Sequence, residues 1–221
     1  MLQQFISNRG EMNIASILYL MFGYAVLILI ILPIHELAHA YAAHLCGDDT
    51  ARWHGRLTLN PFKHLDVWGT VMMLTVGIGY AKPVPVNPRN FRNYKRDMIL
   101  VALAGPLSNL LMAVAAVALF RVAMFFVTDY NVLVALWLIL IDVIASVNIS
   151  LMVFNLLPIP PLDGSRLWSS LLPGKWAYFL DANSRYITMG LFVLLMTGAL
   201  DGPLTVLHNG VFNLLFTVFG M

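Results

Sequence analysis

The stretch ILPIHELAHA, residues 31 to 40, sets two histidines and a glutamate inside a run that otherwise reads as a segment dissolved in lipid. That run extends from about 14 to 46, beyond the roughly 20 residues a helix needs to cross about 30 Å of hydrocarbon. One ionisable group in such a helix costs at least about 2.5 to 3.5 kcal/mol on insertion scales, so three together require a functional reason. Four-residue spacing puts the imidazoles of His35 and His39 on one helix face about one turn apart, where they can share a metal ion. Glu36 points from nearly the same region. A carboxylate one position along from such a pair is placed to take a proton from a metal-bound water rather than to ligate.

The rest of the chain agrees with a lipid setting. Of its 221 residues 60% are hydrophobic and 11% charged, with mean hydropathy +0.79, against roughly 25% charged in a soluble domain. A net charge of +2 is too mild to argue for nucleic acid. The single cysteine, Cys46, excludes an internal disulfide and a cysteine-rich zinc site. The first run is too long for the roughly 7 to 15 apolar residues of a signal peptide, so it reads as a retained span.

Further apolar runs lie at about 98 to 127, 131 to 156, 186 to 200 and 203 to 219. The stretch from 67 to 80 is shorter and carries Gly69, Gly77 and Gly79, a length that is more often re-entrant or interfacial. The fold class expected is therefore an all-α integral membrane protein of about five to six transmembrane helices, with a re-entrant or extended segment near residues 67 to 88. It forms one domain over 1 to 221, with a catalytic core at about 14 to 175 and a C-terminal helical pair at about 184 to 220. Eleven of the thirteen Lys and Arg fall between 47 and 97 or between 157 and 185. The positive-inside rule makes that side cytoplasmic.

A catalytic zinc wants three protein ligands and an open position. His44 lies five residues beyond His39, about 140° round the helix, and faces elsewhere. His54 and His64 sit in the basic segment, where a solvated or lipid-headgroup role suits them. Asp142 is inside a span, with Arg121 or Asn148 as its partner. Asp163 remains, in NLLPIPPLDG (155 to 164), where Pro158, Pro160 and Pro161 break the helix. It meets His35 and His39 from the same membrane face if its segment dips back.

HELAH, AKPVPVNP (81 to 88), AGPLSN (104 to 109) and NLLPIPPLDG, in this order, resemble the site-2 protease family of intramembrane zinc metalloproteases, in a minimal form without PDZ or CBS domains. The resemblance covers about residues 15 to 175. It implies one zinc per chain held by His35, His39 and Asp163, Glu36 as catalytic base, and Asn155 at a position that contacts substrate. It also implies a transmembrane protein as substrate, cleaved in a bacterial-type cell membrane near the cytoplasmic face.

Prolines make GYAKPVPVNP extended, an edge on which Val84 and Val86 could align an unwound substrate by strand addition. For AGPLSN the plain reading is close helix packing by small residues, which could also position the metal helix. Trp53, Trp68 and Trp168 read as interfacial anchors and Arg121 as snorkelling outward. The alternative function is a metal transporter or sensor using His35, His39 and Asp163. Oligomeric state is not legible.

Overall fold

The computed structural model describes residues 21–76, 79–126 and 132–220, and every regular element among them is helical. The expected start of the first span at 14 to 20, Gly77, and residue 131 at the head of the third run lie outside the described residues. Helix α1 is Met21–Leu45. Short helices α2 (Thr50–Trp53) and α3 (Pro61–His64) follow, then α4 (Val67–Val76), the long α5 (Tyr94–Phe126) and α6 (Val132–Asn155). The chain ends in α7 (Asp163–Leu171), α8 (Gly174–Ala182), α9 (Ser184–Met196) and α10 (Asp201–Val218).

Three of these, α1, α5 and α6, are long and apolar enough to cross a membrane. The pair α9 and α10 is bent by 83° and adds a fourth if it counts as one broken span. The sequence counted the pair as two crossings, which is how it reached five. At 13 residues, α9 is only about 20 Å long, too short for a full crossing by itself.

The two described ends of the 67 to 80 stretch lie close together. Ten residues of α4 rise about 15 Å, half the hydrocarbon thickness. The chain then doubles back, with the Tyr80 carbonyl against Gly69, and the Lys82 amide donates to the His64 carbonyl at 2.8 Å. Entry and exit therefore lie side by side, and the end of α1 and the start of α5 share one face of the bundle.

Inside α1, Leu27–Ile31 forms a π turn just ahead of Pro33. Its i to i+5 bonding runs from the Leu32 amide to the Leu27 carbonyl, and Pro33, which has no amide hydrogen, falls in the first turn of the α-helical stretch that follows. The helix thus continues unbroken into HELAH. Central helix α5 packs against α1, α6 and α7. Ala113, Ala116 and Ala145 are buried in its seam with α6, beside Val117, Ile141 and Ile149. Lipid is as apolar as these side chains, so close van der Waals fit, which small residues permit, holds the helices together.

Candidate metal centre

Helix α1 turns His35 and His39 inward, and both are buried, at 4% and 7% exposure. Asp163 arrives 124 residues after His39 on the first turn of α7. Its Oδ2 lies 3.2 Å from His35 Nε2 and 3.1 Å from His39 Nε2, while the two imidazole nitrogens are 3.2 Å apart. Three donor atoms thus form a nearly equilateral triangle. A tetrahedral ion with bonds of about 2.0 to 2.1 Å sets its ligands about 3.3 Å apart, so the triangle fits zinc closely. Hydrogen bonds alone account for it poorly, because three lone pairs cannot all be satisfied by one shared proton. No other cluster of His, Cys, Asp or Glu among the described residues has metal-binding geometry.

One stripe of α5 shapes this pocket. The Val101 carbonyl accepts a hydrogen bond from His39 Nδ1 at 2.7 Å, which places the ring hydrogen on Nδ1 and leaves Nε2 free to ligate. One turn on, a Cβ on Gly105 would strike His39 Nε2 and would lie 2.5 Å from His35 Cε1. Only glycine leaves the room both rings use. One turn further, the fully buried Asn109 sets its amide 3.1 Å from His35 Nδ1. AGPLSN therefore both packs against α1 and touches its imidazoles.

The position of Asp163 follows from how α6 ends. The proline-rich turn stops that helix after Asn155, Leu162 takes the N-cap position in extended backbone, and Asp163 falls in the first turn of α7. A carboxylate is favoured there by the exposed amides and the helix dipole. Gly164 lets the turn close, because a Cβ there would sit 2.5 Å from the Leu156 carbonyl carbon and oxygen.

Glu36 is not one of the triangle's three donors; its Oε2 accepts the Val84 amide at 3.2 Å. The 81 to 88 segment is pinned on both sides of that contact. Upstream, buried Arg56 donates from Nη2 to the carbonyls of Lys82 and Pro83 at 2.7 and 3.0 Å. Downstream, fully buried Asp48 accepts from the Asn87 amide at 2.7 Å, from Asn90 Nδ2 at 2.8 Å, and from Thr50. Burial alone would raise the Asp48 pKa, but these hydrogen bonds outweigh it and hold the carboxyl below its ordinary range.

Val84 itself is buried against Ala40 and Ala51, with its amide engaged by Glu36. Among the described residues the Val86 amide meets no acceptor. Asn155 does not reach the triangle; its Nδ2 donates to the Leu151 carbonyl at 3.0 Å, within its own helix.

The other histidines stay apart from the triangle. His44 pairs with Asp49 at 2.6 Å. His54 is exposed. His64, expected to be solvated or among lipid headgroups, is instead fully buried, with Nε2 2.8 Å from the Thr58 carbonyl and its own carbonyl accepting the Lys82 amide of the returning chain. Arg121 lies over the Phe125 ring at 4.6 Å. Sequence reasoning missed Val101, Asp48 and Arg56, which act through backbone groups or buried contacts that no motif marks. Asn109 did carry a signal: a carboxamide inside a span needs a partner.

The chain is similar to several proteins named as zinc metalloproteases. A Bacillus subtilis protein named "Putative zinc metalloprotease YwhC" is 44% identical over 159 residues, which is 68% of this chain and 69% of that protein. Two mycobacterial proteins named "Putative zinc metalloprotease Rip2" are each 30% identical: that of Mycolicibacterium smegmatis over 77% of this chain and 65% of its own length, that of Mycobacterium tuberculosis H37Rv over 79% and 66%. The chain thus spans about two thirds of the length of these relatives. No solved structure matches it at a significant level. Residues 23–198, which hold the histidine pair, the AGPLSN stripe and Asp163, match Peptidase family M50, and the chain belongs to that family of site-2-type metalloendopeptidases.

Proposed function

We propose that this integral membrane metalloendopeptidase is a zinc enzyme that hydrolyses peptide bonds in or near transmembrane segments of other membrane proteins, at a site close to the cytoplasmic face. The observation that carries the reading is the triangle of His35 Nε2, His39 Nε2 and Asp163 Oδ2, with sides of 3.1 to 3.2 Å, which fits zinc. These three residues would hold one ion and leave a fourth position open. Bound there, zinc supplies Lewis acidity toward the scissile carbonyl and makes water a usable nucleophile near pH 7.

The residues supply the rest. Glu36, next to the ligand His35 and hydrogen-bonded to the Val84 amide, accepts the proton of the attacking water and returns it to the leaving amine. A substrate helix hides its amides in internal hydrogen bonds, so it must unwind before cleavage. The extended segment at 81 to 88 would align the unwound strand through the free Val86 amide, with the Val84 amide already committed to Glu36. Asn155, at the mouth of the proline turn, would meet substrate once its own helix contact yields. The basic loops, on the face where α1 ends and α5 begins, support a cytoplasmic position for this site by the positive-inside rule.

Peptidase family membership gives no support to a transporter or sensor. The test is Glu36→Gln in detergent-purified protein, with zinc measured by elemental analysis and cleavage on a single-span substrate. Full zinc with cleavage lowered by about 10²-fold or more is expected. Cleavage at the wild-type rate would remove Glu36 as base.

A further inference from the structure

We propose that Asn109 is a positioning residue for the metal centre, its side-chain carbonyl accepting the Nδ1–H of His35 so that Nε2 is presented to the ion. The inference rests on the reading of His35 as a ligand and concerns what aims it.

Three observations meet at this side chain. Asn109 is fully buried in a span, where leucine would have nearly the same shape at far less cost of transfer. As placed, its Nδ2 lies 3.1 Å from His35 Nδ1. Its Oδ1 is buried and has no hydrogen-bond partner among the described residues. A neutral imidazole that ligates through Nε2 carries its hydrogen on Nδ1 and needs an acceptor there. The two ends of a carboxamide exchange by a half-turn that leaves its shape unchanged. With that half-turn, the partnerless carbonyl becomes the acceptor that Nε2 ligation requires.

The neighbouring ring supports the same logic. His39 has its Nδ1 acceptor in the Val101 carbonyl, two turns back along α5 from Asn109. Among the described residues His35 has no main-chain acceptor at hand, and its Nδ1 meets only the side chain of Asn109. Between them Gly105 opens the space that brings both rings against the helix. One helix thus aims two ligands, one through its backbone and one through a side chain.

Two substitutions separate aiming from packing. Asn109→Leu keeps the volume and removes the acceptor; Asn109→Asp keeps an acceptor. Zinc affinity is measured by competition with a chromophoric chelator on detergent-purified protein, alongside the visible absorption of the cobalt-substituted forms and the melting of the metal-free forms. Asn109→Leu should bind zinc about 10- to 100-fold more weakly, as loss of such a partner does elsewhere. It should also show an altered cobalt spectrum while melting no lower than wild type when metal-free. Asn109→Asp should restore affinity and spectrum. Wild-type affinity in Asn109→Leu overturns the proposal, and so does Asn109→Asp binding as weakly as Asn109→Leu. If wild type binds one zinc that Asp163→Ala loses while Asn109→Leu keeps it, only the role of Asn109 falls. A wild type that takes up no zinc overturns the metal centre and this inference together.

Discussion

Replacing Gly105 by alanine sets two effects of opposite sign against each other. Taken locally, alanine is the better residue in mid-helix by about 1 kcal/mol, so a view confined to α5 expects a more stable protein. The third dimension says otherwise. A Cβ at this position would lie 2.5 Å from His35 Cε1 and 2.7 Å from His39 Cε1, against 3.4 Å for ordinary contact, and would overlap His39 Nε2. The His39 ring cannot swing aside freely, because its Nδ1 is tied to the Val101 carbonyl. Ring or helix must yield by most of an ångström, whereas a metal site tolerates ligand displacements of about 0.2 Å. Overpacking costs about 1 to 3 kcal/mol, enough to cancel the gain in helix propensity and more. Zinc affinity should therefore fall at least about tenfold, equivalent to about 1.4 kcal/mol, and cleavage with it. Gly210→Ala in α10, where a Cβ would meet nothing within 4 Å, is the control: unchanged zinc and cleavage, with melting unchanged or slightly raised. Elemental analysis, chelator competition and cleavage of a single-span substrate read the outcome. Full zinc and wild-type turnover in Gly105→Ala would refute the argument that the missing Cβ makes room for the ligands.

Three more expectations follow from the segments around the centre. Asp48→Asn should flatten the acid limb of stability. The folded state holds this carboxyl below its ordinary range, so its contribution is complete above about pH 4 and is lost as pH falls through the lowered value; melting curves between pH 7 and pH 3 for both forms check this, and parallel curves count against it. Val86→Pro removes the amide that meets no acceptor among the described residues, so zinc should stay and cleavage should fall; unchanged turnover would dispose of strand addition at this edge. Cys46 is buried, and burial, with Asp97 beside it, pushes its thiol up against the opposing pull of Arg96 and Arg92. Maleimide labelling at pH 8 should be slow until the protein is denatured, and rapid labelling of native protein would mean that the seam between α1 and α5 is open.

Much of this protein was legible from residues close together in the chain. Transfer of apolar side chains into lipid is a local free energy, so the runs around α1, α5 and α6 announce themselves. Helix periodicity alone puts His35 and His39 on one face, and a run of prolines must end α6 and keep 81 to 88 out of a helix. The same local reasoning erred where neighbours in space decide. His64 was expected among solvent or headgroups and is fully buried, its carbonyl accepting the Lys82 amide of the returning chain.

Only the tertiary structure could bring Asp163 within 3.2 Å of two imidazoles 124 and 128 residues earlier, set the Val101 carbonyl and Asn109 behind those rings, and tie Glu36 to the Val84 amide. Hydrogen bonding and steric exclusion act over about 3 Å, a distance that says nothing about separation along a chain. The sequence by itself determined which chemistry is present and that it lies in a membrane. Packing against α5 decided which atoms face one another and which of them an ion can use.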